Sequence, residues 1–295
     1  MTRLDVRHAH LELMPGVELY VYALKGDRYS VMFDTGIASM KAAVLTLASD
    51  VAPLAYVLHT HVHADHIGCN RAVADATGAR FAVAGAESWL EDNITHYEEF
   101  CRTDVLPDSE AQRDEIMGLI GPPVRADLTL GDNTVFHLGE GADLLTLRFP
   151  GHKLEEVGFL EINSGTLFLG DLLLALAAPF FHGFQTAAGF RSSLAKLEGL
   201  VGRGEVSRVL SSHHHPLGPE QTLAATQATR GFLDDVEAAT LEAATGVSFD
   251  HLWRAVCSAM NKELEFRGYA MLEVQVRELC AAGRMRAQDN RLFTC

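Results

Sequence analysis

The sequence predicts a layered α/β domain followed by a small, mainly helical C-terminal region. Three observations predict it. A hairpin pattern near the start gives way to alternating helix and strand patterns, the order produced when helices cover a sheet. The run Thr60-His61-Val62-His63-Ala64-Asp65-His66-Ile67-Gly68 crowds histidines and an aspartate directly behind a strand pattern, where sites of α/β proteins sit. After Pro219 the strands give way to long helical patterns. With 295 residues and 48% hydrophobic side chains, the chain can fill one large core and a small second one.

Taken in order, residues 17–24 and 29–33 read as a hairpin turning at Lys25-Gly26-Asp27. Asp34-Thr35-Gly36 ends its second strand. Residues 39–49 read as a helix with Ser39 as N-cap, residues 55–58 as the buried strand leading into the histidines, 70–77 as a helix start and 80–84 as the next strand. Residues 86–123 break the rhythm. Their first part is acidic and aromatic, with Trp89, His96, Tyr97 and Phe100; Pro107 interrupts; 110–120 is helical and Gly121-Pro122-Pro123 stops it. This segment is expected to be a mostly helical insertion. Strands resume at 128–130, 134–138 and 144–149, with turns at 131–133 and 139–141, and 157–162 pairs with 166–169 through Asn163-Ser164-Gly165. Leu194, Leu197 and Leu200 line one face of a helix at 191–201, and a short strand at 208–210 leads to His213. Residues 220–244, 249–265 and 269–282 are helical, the last closed by Gly283, and 284–287 with 291–294 form a hairpin turning at Gln288-Asp289-Asn290. The expected division is a domain over residues 1–225 and a C-terminal region over 226–295.

His61 and His63 are one residue apart, so on extended backbone they face the same side. Asp65 and His66 follow at once. Imidazole and carboxylate are ligands for zinc or iron. One such cluster offers more donors than a single tetrahedral ion takes from protein, which points to two metals.

These residues carry a family resemblance. His61-x-His63-x-Asp65-His66 resembles the signature of the metallo-β-lactamase superfamily, and the other signatures follow in the family's order. Met32-Phe33-Asp34-Thr35-Gly36 resembles its early strand end, Phe149-Pro150-Gly151-His152 its third-histidine loop, Leu169-Gly170-Asp171 its bridging-aspartate loop, and Val209-Leu210-Ser211-Ser212-His213 its last-histidine strand. The resemblance covers roughly residues 10 to 225 and implies a four-layer αββα sandwich. It implies that His61, His63 and His152 bind a first metal, that Asp65, His66 and His213 bind a second, and that Asp171 bridges them, with Asp65 and Asp171 the catalytic carboxylates. His214, one residue along, competes with His213 for the last place. Two divalent ions are implied, zinc first, with iron or manganese as alternatives. Two close cations can share one hydroxide and lower the pKa of its parent water. Asp34 is a candidate partner for a metal-bound imidazole. Related enzymes border their pocket with the loop after Asp171, here rich in Phe180, Phe181, His182 and Phe184, and overhang it with an insertion. The helix-plus-hairpin end resembles the winged-helix-like tail of some members. One departure is Gly151-His152-Lys153-Leu154-Glu155-Glu156, where the family usually has small residues after the histidine.

Composition bounds the function. The net charge is −15, from 24 basic and 39 acidic residues, which argues against a nucleic-acid partner. No apolar run follows the first residues, so neither a signal peptide nor a membrane span is expected. The 5 cysteines (Cys69, Cys101, Cys257, Cys280 and Cys295) are scattered and odd in number, as expected of free thiols in the cytoplasm. No Gly-x-Ser-x-Gly elbow supplies a protein nucleophile. The expected function is hydrolysis of a carbonyl ester, thioester or lactone first, on a small-molecule substrate that a carrier or coenzyme A could present. The alternatives are a di-iron oxygen-using enzyme on the same fold, or a metal-bound regulatory protein. The C-terminal region is expected to wall the pocket or form a homodimer contact.

Overall fold

The computed structural model describes residues 4–100, 109–139 and 142–295. Cys101, Pro107 and part of the turn at 139–141 lie outside the described residues, as does the side chain of Phe100.

The first sheet is built from β1 (Asp5–Met14), β2 (Val17–Lys25), β3 (Ser30–Phe33), β4 (Leu54–Leu58), β5 (Arg80–Val83) and β6 (Leu128–Thr129), paired in chain order. Its first three strands are antiparallel and β3 to β6 are parallel. The helices between them are α1 (Lys41–Asp50), α2 (Ala64–Ile67), α3 (Asn70–Thr77) and, in the insertion, α4 (Glu87–Glu91), α5 (Asn93–Phe100) and α6 (Ser109–Leu119). The second sheet holds β7 (Val135–His137), β8 (Asp143–Arg148), β9 (Val157–Glu161), β10 (Thr166–Leu169) and β11 (Arg208–Ser211) in the order β11-β10-β9-β8-β7. Helix α7 (Ala187–Gly202) carries the chain from β10 to its parallel neighbour β11.

Side-chain alternation explains the layering. On β2, Tyr20, Tyr22 and Leu24 belong to one buried cluster and Leu19, Val21 and Ala23 to another. Phe168 on β10 likewise faces away from Leu167 and Leu169. Between the sheets Phe33 stacks on Phe168 with ring centroids 3.9 Å apart, and Phe159 tilts against Phe33. The opposite faces pack on helices, through Val44 of α1, Val73 of α3 and Leu194 and Leu197 of α7. Each sheet is therefore buried on both faces, and the result is the four-layer αββα sandwich.

Several elements depart from the sequence expectation. Strand β1 is absent from it: this partly exposed edge strand has no clean apolar alternation. Helix α1 begins at Lys41 after a short 3-10 turn, and Ser39 caps nothing. Helix α7 starts earlier than Arg191, where Thr186 accepts a hydrogen bond from the Gly189 N–H at 3.1 Å.

The C-terminal part consists of α8 (Pro219–Ala243), β12 (Thr245–Val247), α9 (Phe249–Ala259), α10 (Phe266–Ala281), β13 (Met285–Gln288) and β14 (Arg291–Thr294). The expected boundary at 225 falls within α8. Leu233, Val236, Trp253, Phe266 and Met271 join the same buried cluster as α7. Among the contacts that fasten this part to the loop after Asp171, Lys262 Nζ donates to the Leu176 carbonyl at 3.1 Å, the Glu263 N–H to the Pro179 carbonyl at 2.8 Å, and the Arg267 guanidinium lies 3.7 Å from the centre of the Phe180 ring. Among the described residues no helix is long and apolar enough to cross a membrane.

Glu265, at the start of α10, is 4% exposed. Burial pushes its carboxyl from 4.5 up to about 7, although Arg267 donates to it at 2.6 Å. The folded protein thus keeps a proton that the unfolded chain releases. This contribution is full below about pH 4.5 and is lost as pH rises through about 7. Glu265→Gln, which does not titrate, should gain stability on the parent between about pH 5 and about pH 8, by up to about 3 kcal/mol in urea unfolding. A difference that stays constant over that range would contradict the proton's place on Glu265.

Candidate metal centre

Strands β3, β4, β8, β10 and β11 all run toward one edge of the sandwich, and the polar residues follow their ends. Past β4 comes extended chain through His63 and then the single turn of α2, so that His61, His63, Asp65 and His66 converge. Past β8 comes His152, past β10 Asp171, past β11 His213. Gly170 is required here: a Cβ would stand 2.6 Å from Thr60 Oγ1 and 2.9 Å from His61 Nδ1.

The structure brings all seven expected residues into two groups. Ligand atoms of His61, His63, His152 and Asp171 lie within 4.8 Å of one another, as do those of Asp65, His66, Asp171 and His213. Asp171 belongs to both. Its carboxylate is 3.3 Å from His66 Nε2 and from His213 Nε2, 3.4 Å from His152 Nε2 and 3.9 Å from His61 Nε2.

The far ring nitrogens are held from behind, which fixes ring orientation and turns the inner nitrogen toward the place a cation would take. His66 Nδ1–H donates to Asp34 at 2.9 Å, His213 Nδ1–H to the Glu18 carbonyl at 2.6 Å and His152 Nδ1–H to the Gly183 carbonyl at 2.9 Å. His61 Nδ1–H donates to Thr60 Oγ1 at 3.1 Å, and that hydroxyl donates onward to Asp34 at 2.7 Å. Asp34 also accepts from the Thr60 N–H at 2.9 Å and from His59 at 3.2 Å. Its backbone has φ +59°, so it turns the chain and supports the site at once.

Electrostatics follow from burial. Burial, with neighbouring imidazoles, holds His61 and His63 well below the ordinary histidine range. At Asp171 burial opposes ionisation, but His213 and His66 outweigh it and hold the carboxyl well below the usual range. Burial would likewise lower His213, but Asp171 and Asp65 overcome it and raise it to about 10. In the protein alone those two carboxylates draw protons onto His66 and His213. Buried inner atoms — Nε2 of His61, His66 and His213, and Oδ1 of Asp171 — make no hydrogen bond among the described residues. A set of imidazole and carboxylate donors, aimed inward and unsatisfied, fits divalent cations, whose binding would release those protons.

The remaining expectations divide. His214 stays outside both groups and the cavity, donating to the Leu173 carbonyl at 3.1 Å. Phe180, His182 and Phe184 line the cavity, whereas Phe181 is fully buried against Phe232 and Gly268 and is a core residue. Neighbouring side chains of that loop point to opposite sides, and sequence does not say which. Cys69 is packed inside, its thiol donating to the Ile37 carbonyl at 3.1 Å and raised to about 11 by burial. The bulky charges after His152 leave the site edge. Lys153 is buried with its ammonium 4.5 Å from the Trp89 ring centre and 3.5 Å from Glu155, and Glu156 turns back to accept the Asp171 N–H at 2.8 Å. His59, Thr60 and Glu156 were missed as supports. His59 and Thr60 adjoin the histidine run, and Glu156 stands in the segment that departs from the family pattern.

A cavity of about 600 Å³ opens onto both groups. His63, Asp65, His152, Asp171 and His213 form its floor, and α6, α10, the β1–β2 corner and the loop at 180–185 form its walls.

Fold and paired groups together define a metal-centred αββα protein. The sequence model of the metallo-beta-lactamase superfamily matches residues 16–203, and the chain belongs to that superfamily. It is 28% identical over 206 residues to the hydroxyacylglutathione hydrolase of Ectopseudomonas mendocina (strain ymp), covering 67% of this chain and 62% of that protein. It is 26% identical over 163 residues to the protein of that name from Pelagibacter ubique (strain HTCC1062), covering 55% and 52%. The chain thus spans little more than half the length of these curated relatives. Among solved structures, a metallo-beta-lactamase family protein from Thermus thermophilus superposes with a TM-score of 0.73 at 18% identity over 98% of both chains. A beta-lactamase domain protein from Burkholderia ambifaria gives 0.71 at 18% over 100% of this chain and 93% of that one. These two show the shared fold, C-terminal part included.

Proposed function

We propose that this chain is a metal-dependent hydrolase of a carbonyl ester, thioester first and lactone second. The observation that carries the reading is a pair of inward-facing donor groups sharing Asp171 at the floor of a mostly apolar cavity. The relatives named hydroxyacylglutathione hydrolase support the thioester. His61, His63 and His152 would hold one cation, Asp65, His66 and His213 the other, and Asp171 would touch both. When bound, two such ions polarise the scissile carbonyl and activate the attacking water.

The chain's own residues then orient and move protons. His61, His66, His152 and His213 hold the donor geometry through their outer hydrogen bonds, and His63 Nδ1 lies 2.7 Å from His152 Nε2. Asp65 lines the cavity with a carboxylate 3.3 Å from His213 Nε2, placed to take a proton from water and return it to the departing sulfur or oxygen. One water is consumed: its oxygen enters the new carboxylate, the carbon–sulfur or carbon–oxygen bond breaks, and the leaving group departs as thiol or alcohol. His182 borders this space as a neutral imidazole, lowered to about 3 chiefly by burial.

Protein purified without chelator should carry two metal ions per chain by elemental analysis and should hydrolyse members of a panel of thioesters, esters and lactones. Chelation should lower both the melting temperature and the activity together. A trace of metal in fresh, active protein would end the reading. So would iron accompanied by oxygen uptake, or silence across the panel with metal bound.

A further inference from the structure

We infer that the substrate's acyl part is an unbranched hydrocarbon of medium length, laid along α10 from the C-terminal region; this rests on the hydrolase reading above and specifies it. Phe266, Ala270, Met271 and Val274 line the cavity from one face of α10, the spacing of a helical stripe. Adding Arg277, at the outer end, the stretch spans about 16 Å of helix axis. Leu11, Leu13 and Val17 face this stripe from the β1–β2 corner, and Ile116 and Leu119 close it from α6.

The donor groups occupy the same cavity, so a carbonyl held there leaves its chain to run between apolar walls. Of the charged lining residues beyond the donor groups, half-buried Arg267 is engaged by Glu265 at 2.6 Å and by the Phe180 ring, and Glu12, Glu115, Glu273 and Arg277 are exposed. They mark the mouth and leave the apolar stretch without an exposed charge to pair with a polar acyl group. A peptide-like acyl group would bury unpaired amides there, whereas each buried methylene gains about threefold to fourfold in binding. The volume of about 600 Å³ lies in the range of small-molecule sites. The acidic mouth also disfavours a polyanionic carrier, so the test uses a neutral thiol.

The test has two arms on the full chain. In the first, the metal-loaded protein is given acetyl, butyryl, octanoyl and decanoyl thioesters of N-acetylcysteamine, and released thiol is followed. The value of kcat/KM should rise at least about tenfold from butyryl to octanoyl. Val274→Trp, which fills the corridor, should lower the ratio of decanoyl to acetyl turnover by about tenfold or more. In the second, hexanoate, octanoate and decanoate are titrated by calorimetry into metal-loaded and chelated protein, where Kd should fall about threefold per methylene. Hydrolysis without chain-length preference, with no gain from hexanoate to decanoate, overturns the corridor and leaves the hydrolase reading standing. Graded fatty-acid binding without hydrolysis of any thioester does the reverse. A Val274→Trp protein that lowers all chain lengths equally also counts against the corridor.

Discussion

Asp171→Asn should leave a folded protein that holds about one metal ion where the parent holds two, with turnover reduced by about a hundredfold or more. The reason is geometric. Asp171 alone belongs to both donor groups, and its buried carboxylate lies between His66, His152 and His213. Two dications held close repel strongly even at an effective dielectric constant of about 20, because the Coulomb energy scales with the product of charges. A shared anion offsets that repulsion, whereas each histidine serves one group only. Asn preserves shape and removes charge, so the substitution isolates the electrostatic part. Metal content and turnover, measured beside His63→Ala under equal metal supplementation, decide the matter. An Asn variant with two metals and near-parent hydrolysis would refute the assignment of Asp171 as the bridge.

The second large effect is expected at a residue that belongs to neither donor group. Asp34→Ala should destabilise the protein by about 3–5 kcal/mol, because it strips partners from buried groups that stay behind. It should also weaken metal binding by about 10–100-fold, the usual scale for losing an outer partner of a metal-bound imidazole. Asp34 accepts from His66, His59 and both donors of Thr60, and through Thr60 it supports His61. Asn at this position tolerates the positive φ and should recover part of the stability but less of the metal affinity. Urea unfolding and metal titration of both variants test this, and parent-like metal affinity in the Ala variant would show that Asp34 merely shapes the turn.

The site was legible because its residues sit just beyond strand ends, where a short motif fixes position almost without tertiary knowledge. The family resemblance added His152, Asp171 and His213, which are far apart in sequence and meet only through the pairing of β8, β9, β10 and β11. What stayed hidden depends on side-chain direction in irregular backbone. Phe181 and Phe180 are equally apolar, yet one enters the core and the other the cavity. Lys153 reads as a charge beside the site and is in fact folded against Trp89. The layered α/β domain followed from alternating patterns and the four layers from the family resemblance, but β1 is a partly exposed edge and β12 spans three residues with a bulge and a glycine at φ +86°. The expected helix over 249–265 ends at Ala259 because Asn261 takes a left-handed conformation that apolar periodicity does not report.

The ties from Lys262, Glu263 and Arg267 join the tail to the loop after Asp171, so any effect of the seated tail on occupancy of the centre is thermodynamically reciprocal. That loop also presents the Gly183 carbonyl that orients His152. Whatever free energy the seated tail lends to cation affinity through His152, the cations must return in full to the seating of the tail. A change at the foot of α10, which belongs to neither donor group, should therefore be felt at the centre in the same currency as a change of ligand.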